Sequence, residues 1–304
     1  MTTSSRIQLA AGGPTFSRTI PGMMRLNQWG MNKAAIADWI QGCLDMGVTT
    51  FDHADIYGRY TCETLFGEAL AIRPELRDRI EIVTKCGIKL VSPNRPEHHL
   101  PHYDTSTAHI LASVENSLHE LHTDRIDLLL IHRPDPLMDA DAVAEAFTRL
   151  RAAGKVLHFG VSNFTPFQLD LLASRLDFPL VANQVEISVM HMDALHDGTL
   201  DHCQQHRITP MAWSPVGGGA LFVGAGEQET RLRNAIEEIG AALGGAALDQ
   251  VALAWLLALP SHPLPVLGTG KLERVRAAVE AESLVLTRQQ WFTIWKASAG
   301  HNVP

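Results

Sequence analysis

Short apolar runs recur along the chain near residues 22–25, 48–51, 80–84, 127–131, 157–161, 180–184, 208–212 and 264–267. They are apolar-rich without clean alternation, the pattern of strands covered on both faces. Between most of them lie longer amphipathic patterns that predict helices over about 32–46, 60–71, 106–122, 139–153, 165–175 and 198–206, a group from 228 to 258, and 271–281 after the eighth run. Eight strands alternating with helices predict an α/β fold with a parallel sheet, and eight such units close most simply as a (β/α)8 TIM barrel. Ahead of the repeats, Arg6–Ala10 and Thr15–Ile20 joined by Ala11-Gly12-Gly13-Pro14 predict an N-terminal β-hairpin that plugs one end, and Thr287–Lys296 predicts an extra C-terminal helix. Helix punctuation agrees: Asp139 precedes one pattern and Gly154-Lys155 ends it, Thr165-Pro166 opens the next, and Thr105 or Ser106 stands before residue 107. No linker, low-complexity tract or repeat period divides residues 1–304, so one domain is expected.

Composition narrows the function classes. A net charge of -8 supplies no basic field for nucleic acid or for an anionic membrane. The longest apolar run, Val251–Leu259, is too short to span a bilayer, and the stretch Met1–Arg6 lacks the apolar core of a signal peptide. Cys43, Cys62, Cys86 and Cys203 are scattered with no Cys-x-x-Cys pair, as expected of reduced thiols in a cytoplasmic protein.

The candidate chemistry sits where the strands end. Thr50-Phe51-Asp52-His53-Ala54-Asp55-Ile56-Tyr57-Gly58 begins as a buried strand and turns abruptly polar. Residues just past the carboxyl ends of parallel strands face the ligand crevice. The plainer alternative is that Asp52 and Asp55 cap a helix starting near Tyr60. The following strands deliver Lys85, then His132, then Ser162 and Asn163, then Gln184 to the same face. Each has a bland explanation alone, a core histidine or an amide satisfying a loop; five strands in succession make that explanation poor. An ammonium at the end of an apolar strand is expensive unless paired, and Asp52 is the expected partner of Lys85. A tyrosine hydroxyl, ordinarily near pKa 10, is made more acidic by a neighbouring ammonium. Tyr57, Lys85, Asp52 and His132 together describe a proton donor to a developing alkoxide. Alkoxides develop when hydride reaches a carbonyl, so a nicotinamide is the expected partner, with Ser162, Asn163 and Gln184 suited to its carboxamide.

Over essentially its whole length the sequence resembles the aldo-keto reductase superfamily, closest to bacterial branches with a long third loop. The matching segments are Phe51–Gly58, Thr84-Lys85-Cys86-Gly87, Leu129–Asp135, Gly154-Lys155-Val156, Gly160–Phe164, Asn183–Glu186 and Ala212–Pro215. The resemblance implies that Tyr57 is the general acid/base, that Lys85 and Asp52 tune it, and that His132 orients substrate. It implies cofactor contacts at Gly22, Met23, Ser162, Asn163 and Gln184, and a nicotinamide stacked on Trp213, where the family commonly has Tyr. An Asn that many members place in the adenosine clamp falls near Ala278.

No Gly-x-Gly-x-x-Gly fingerprint follows a strand. Pro265–Arg274 reads instead as strand, glycine turn and helix start, an anion site by its backbone N–H groups. The resemblance assigns this turn, Gly268, Thr269, Gly270, Lys271 and Arg274, to the 2′-phosphate of NADP(H). A second glycine-rich stretch, with Ser214, Val216, Gly217 and Gly218, either wraps the pyrophosphate or is mobile. The expected activity is NADPH-dependent reduction of small aldehydes or ketones. The alternative is an NADP-binding auxiliary subunit of the same fold acting through a protein partner. A metal-dependent hydrolase lacks a clear carboxylate and histidine cluster; His202 and His206 lie four apart, with no third ligand evident in the sequence. No resident metal is expected, and the oligomeric state stays open, a monomer included. The segment Gly87–Asp104, with three prolines and apolar Ile88, Leu90, Leu100 and Tyr103, is expected to form an ordered lid at the barrel mouth.

Overall fold

The computed structural model describes residues 2–304. Its strands are Arg6–Gln8 (β1), Thr15–Ser17 (β2), Ile20–Pro21 (β3), Thr50–Asp52 (β4), Glu81–Cys86 (β5), Ile88–Lys89 (β6), His102–Tyr103 (β7), Ile126–Ile131 (β8), Val156–Ser162 (β9), Leu180–Glu186 (β10), Thr209–Trp213 (β11) and Leu264–Leu267 (β12). Its helices are Lys33–Leu44 (α1), Cys62–Ile72 (α2), Thr107–Glu120 (α3), Ala140–Ala152 (α4), Pro166–Ala173 (α5), Thr199–His206 (α6), Ala220–Val223 (α7), Glu227–Ala242 (α8), Leu248–Leu257 (α9), Leu272–Ala281 (α10) and Arg288–Ala299 (α11).

Eight strands pair in the order β3-β12-β11-β10-β9-β8-β5-β4, every neighbouring pair parallel. A parallel bridge between Gly22 and Asp52 joins the two ends of that order, so the sheet closes on itself as a (β/α)8 barrel. Its interior is packed by Val83, Leu128, Leu130, Ala182, Met211 and Leu264, one inward-facing side chain after another. Leu9 and Phe16 from the β1–β2 hairpin belong to the same cluster. The Thr209 N–H and hydroxyl both donate to Leu9 O, at 3.0 and 2.8 Å, which fixes the hairpin under the N-terminal end of β11. The opposite, C-terminal end is left for chemistry.

The caps act as expected. Asp139 accepts from the Asp141 N–H, Thr165 forms a reciprocal capping box with Gln168, and Ser106, not Thr105, caps α3. Three elements differ from the pattern. The first barrel strand is only Ile20–Pro21; residues 22–25, expected as that strand, enter a 3-10 helix over Met23–Gln28. Met23 and Leu26, three apart, are the buried residues of that turn, a period that suits the 3-10 geometry and not a strand. The group from 228 to 258 splits into α8 and α9 because Gly244 and Gly245 take φ of 77° and 88°, a left-handed turn that ends a helix. The third difference lies in the long segment after β5. It contains an antiparallel ladder, β6 with β7. Its apolar anchors are fewer than expected, since Leu100 and Tyr103 are 63% and 41% exposed. Polar bonds hold it instead. The Leu90 N–H donates to Tyr60 OH at 2.7 Å, Asn94 Nδ2 donates to Arg59 O at 2.9 Å, and Lys89 pairs with Asp104 at 2.7 Å.

Among the described residues, no helix is long and apolar enough to cross a membrane.

Candidate active site

The parallel register brings the polar strand ends to one level. The strand hydrogen bonding continues past β4 and β8 into the loops: the His53 N–H donates to Val83 O, that of Asp55 to Lys85 O and that of His132 to Cys86 O. Asp55 therefore holds the turn rather than a helix. The helix after it starts at Cys62 with Thr61 at its cap position, so the capping explanation of Asp52 and Asp55 does not hold. Gly58, Arg59 and Tyr60 then run at φ 58–69°, three consecutive left-handed residues. That conformation is strained for Arg and Tyr. It turns the chain sharply after Tyr57, whose N–H is bonded to Ala54 O.

Lys85 is fully buried, and its ammonium is saturated. Nζ lies 2.8 and 2.7 Å from the two Asp52 oxygens, 2.7 Å from His53 O and 3.0 Å from the Tyr57 hydroxyl. Burial alone would lower the Lys85 pKa, but Asp52 and Tyr57 together hold it above its ordinary value, so the ammonium stays charged. The Tyr57 hydroxyl is also raised: burial pushes it up more than Lys85 pulls it down. The sequence points to a lowered value; desolvation by the surrounding barrel wall outweighs the ammonium. Tyr57 is thus a fully protonated acid near neutrality. His132 stands edge-on to Tyr57, ring centroids 6.0 Å apart. Burial, with Lys85 and Arg133 nearby, holds it well below the usual histidine value, hence neutral, and its Nδ1 is buried without a protein partner.

The amides form the other half of the site. Trp213 Nε1 donates to Asn163 Oδ1 at 3.0 Å, Asn163 Nδ2 to Ser162 Oγ at 2.8 Å, and Ser162 Oγ to Gln184 O at 2.8 Å. Gln184 Nε2 then donates to Asp52 Oδ1 at 2.8 Å. Gln184 thus stands between two sets of bonds: its main-chain oxygen receives the one that begins at the Trp213 indole, and its side chain joins the one that ends at the Tyr57 hydroxyl. Gln184 differs from expectation here, since its amide N–H supports Asp52; only its carbonyl oxygen is left for a ligand.

These groups line one cavity of about 650 Å³, a size that suits a bound small molecule. Asp52, Tyr57, His132, Ser162, Asn163, Gln184, Trp213, Ser214, Val216, Gly218, Gly22, Gly268, Thr269 and Arg274 face it. Five of the predicted residues do not. Lys85 lies behind Tyr57, and Met23 is buried in the core while its neighbour Met24 lines the cavity. Gly217 sits at φ 62° with the Met190 side chain against it. Gly270 packs flat on Trp29, where any Cβ would collide with the indole. Lys271 is exposed at the start of α10, its N–H taken by Thr269 Oγ1 at 3.2 Å.

Sequence reasoning missed several lining residues: Met24, Arg25, Arg133, Phe222, Asp249 and Leu253. Arg133 adjoins His132, and its guanidinium lies 5.6 Å from the centre of the Trp213 ring. Every loop at the C-terminal end of a barrel is a candidate wall, which was the available signal. Ala278, near which the resemblance places the family's adenosine-clamp Asn, also lines the cavity.

Behind the cavity, His53 packs on Phe66, and burial with Lys85 pushes its pKa down to about 3. Glu63 accepts from the Thr84 and Ser117 hydroxyls while burial pushes it up to about 7. Neither lines the cavity.

Comparison with known proteins agrees with this geometry. The Aldo/keto reductase family model matches residues 19–299. Oxidoreductase YdhF of Escherichia coli (strain K12) is 56% identical over 299 residues, covering 98% of this chain and 99% of that protein. A 6-dehydroglucose reductase of Agrobacterium fabrum is 45% identical over 288 residues, covering 94% of this chain and 96% of that protein. Among solved structures, the thermostable aldo-keto reductase Tm1743, in complex with the inhibitor epalrestat, matches with a TM-score of 0.79 at 26% identity, covering 96% of this chain and 99% of that one. With a closed eight-stranded barrel, a lysine, aspartate and tyrosine joined at its mouth, and a family match over nearly the whole length, the chain belongs to the aldo/keto reductase family.

Proposed function

We propose that this oxidoreductase is an NADPH-dependent reductase of small aldehydes or ketones, acting as one barrel domain, with Tyr57 as proton donor. The observation that carries the reading is the set of hydrogen bonds linking Trp213, Asn163, Ser162 and the Gln184 main chain on one side and the Gln184 side chain, Asp52, Lys85 and Tyr57 on the other, because it fixes a flat stacking surface beside a protonated acid and its ion pair. Reduced nicotinamide, when bound, supplies the hydride that reaches the carbonyl carbon. The chain's own part is to place the carbonyl oxygen and to give it a proton. Tyr57 donates the proton from its hydroxyl, and the Lys85 ammonium 3.0 Å away compensates the charge left on the phenolate. Asp52 keeps that ammonium charged and aimed. His132, neutral and beside Tyr57, orients the carbonyl oxygen. Trp213, immobilised by Asn163, offers the ring face. The intact quartet argues against a purely regulatory subunit.

The Agrobacterium relative's name places a sugar-derived carbonyl among the first substrates to try. The test is substrate-dependent loss of NADPH absorbance with a panel of aldehydes, ketones and sugar aldehydes. No turnover on any of them with either nicotinamide cofactor would overturn the reading. All four cysteines are buried and unpaired, in keeping with the cytoplasmic location we propose.

Arg274 is the cation of the phosphate turn that lines the cavity; Lys271 stands beside it on the exposed side. A guanidinium grips a dianionic phosphate with a fork of donors. NADPH is therefore expected to bind more tightly than NADH, and Arg274→Ala to reduce that preference by roughly tenfold or more, at about 1.5–3 kcal/mol for a hydrogen bond to a charged group. Fluorescence titration with both cofactors checks this; equal dissociation constants in the unaltered protein would remove the assignment.

Ile88 and Leu90 line the cavity from the ladder after β5. Replacing 93–101 by a short Gly/Ser linker is expected to change the ranking of substrates by kcat/KM while the NADPH dissociation constant stays within about threefold, because this ladder adjoins the carbonyl end of the cavity. A preserved ranking would move specificity to the segment after Trp213.

A further inference from the structure

We propose that Asp170, His202 and His206 form a binding site for one Zn²⁺ ion on the outside of the barrel, joining α5 to α6. His202 and His206 lie one helical turn apart on α6, so both imidazoles leave the same face. The missing third ligand comes from another helix: one donor atom from each of the three residues falls within 4.8 Å of the others. His202 Nε2 stands 2.7 Å and His206 Nε2 3.9 Å from the same oxygen, Asp170 Oδ1. The two rings are 4.4 Å apart, tilted by 41°.

The uneven distances are informative. Zinc bound at ~2.0–2.2 Å by nitrogen and oxygen in tetrahedral geometry holds its ligand atoms ~3.3–3.5 Å from one another. Of the two pairs with Asp170, one must open by about 0.6 Å and the other close by about 0.5 Å, and the two imidazole donors, within 4.8 Å of each other, close by at most about 1.4 Å; rotation of the exposed Asp170 and His206 side chains brings the three to that spacing. Their side chains are 53% and 44% exposed and free to move, whereas that of His202 is 9% exposed and fixes the site. Two imidazoles and one carboxylate suit a borderline ion such as Zn²⁺; Mg²⁺ and Ca²⁺ demand six or more oxygens. Cys203, between the histidines, is not part of the set: it is buried, and burial pushes its thiol up to about 12. None of the three ligands lines the central cavity, so the site is separate from carbonyl chemistry. Its effect is to clamp two neighbouring helices.

The experiment is calorimetric titration of the full-length protein with ZnCl2, with thermal unfolding measured in parallel. One Zn²⁺ per chain is expected, with a low-micromolar dissociation constant, a rise of several degrees in Tm, and a visible band when Co²⁺ replaces Zn²⁺. His206→Ala and Asp170→Ala alter exposed positions and should keep the fold, monitored by circular dichroism. Each is expected to weaken binding at least tenfold and abolish the Tm rise. The absence of saturable binding would overturn the proposal. So would unchanged affinity in both variants, since the ion would then sit elsewhere.

Discussion

Replacing Tyr57 by phenylalanine is expected to lower kcat by roughly 10²–10⁴-fold, the range of general-acid contributions. The loss is confined to one step. In the proposed mechanism the hydroxyl would donate its proton to the substrate oxygen, while the proposed cofactor contacts, Trp213, Asn163 and the two glycine-rich turns, are not touched by the change. NADPH affinity should therefore stay within about twofold, since no cofactor contact is removed. Lys85 loses one of its hydrogen-bond acceptors but keeps Asp52 and the His53 carbonyl, so the fold should survive. Single-turnover kinetics with saturating NADPH would isolate the step. A phenylalanine variant with near-normal turnover removes Tyr57 from the mechanism.

Asp52→Asn is expected to produce the largest combined loss, in stability as well as turnover. Asp52 and Lys85 are 1% and 0% exposed. Removing one partner of a buried pair costs about 3–5 kcal/mol, because the other charge is left uncompensated. In the unaltered protein Lys85 is held above its ordinary pKa, so its contribution to stability is complete below about 10.4, the unfolded value, and is lost only as pH rises through the folded value. Without the Asp52 charge, burial becomes the dominant influence and depresses the folded value below the unfolded one. The unfolded chain then binds the extra proton, so the variant's stability should increase with pH from 7 towards 10, by up to about 1.4 kcal/mol per unit. Denaturant unfolding at pH 7 and pH 9.5 measures it. A deficit that does not shrink at the higher pH would show that Lys85 keeps its proton by other means. Turnover should fall with the loss of Lys85 charge beside Tyr57.

The elements were legible because their information is local. Apolar periodicity marks which face of a segment is buried. Asp139, Ser106 and the Thr165-Pro166 pair mark helix starts through bonds to residues two or three positions away. The direction of parallel strands then carries Asp52, His132, Ser162, Asn163, Gln184 and Trp213 to one end without knowledge of any contact. What only tertiary structure decided are the partnerships between residues far apart. Gln184 gives its amide to Asp52, 132 positions away, and Asn163 accepts from Trp213, 50 positions away, because the register of neighbouring strands sets those distances. Met24 faces the cavity in place of Met23 because a two-residue strand gives way to a 3-10 turn, changing the side-chain period. The acidity of Tyr57 depends on whether desolvation or the Lys85 charge is larger, a balance fixed by how closely the barrel wall encloses the ring. Asp170 joins two histidines from a different helix for the same reason. Residue types and their order determined the fold and the chemical inventory; three-dimensional packing determined which group touches which, and with what charge.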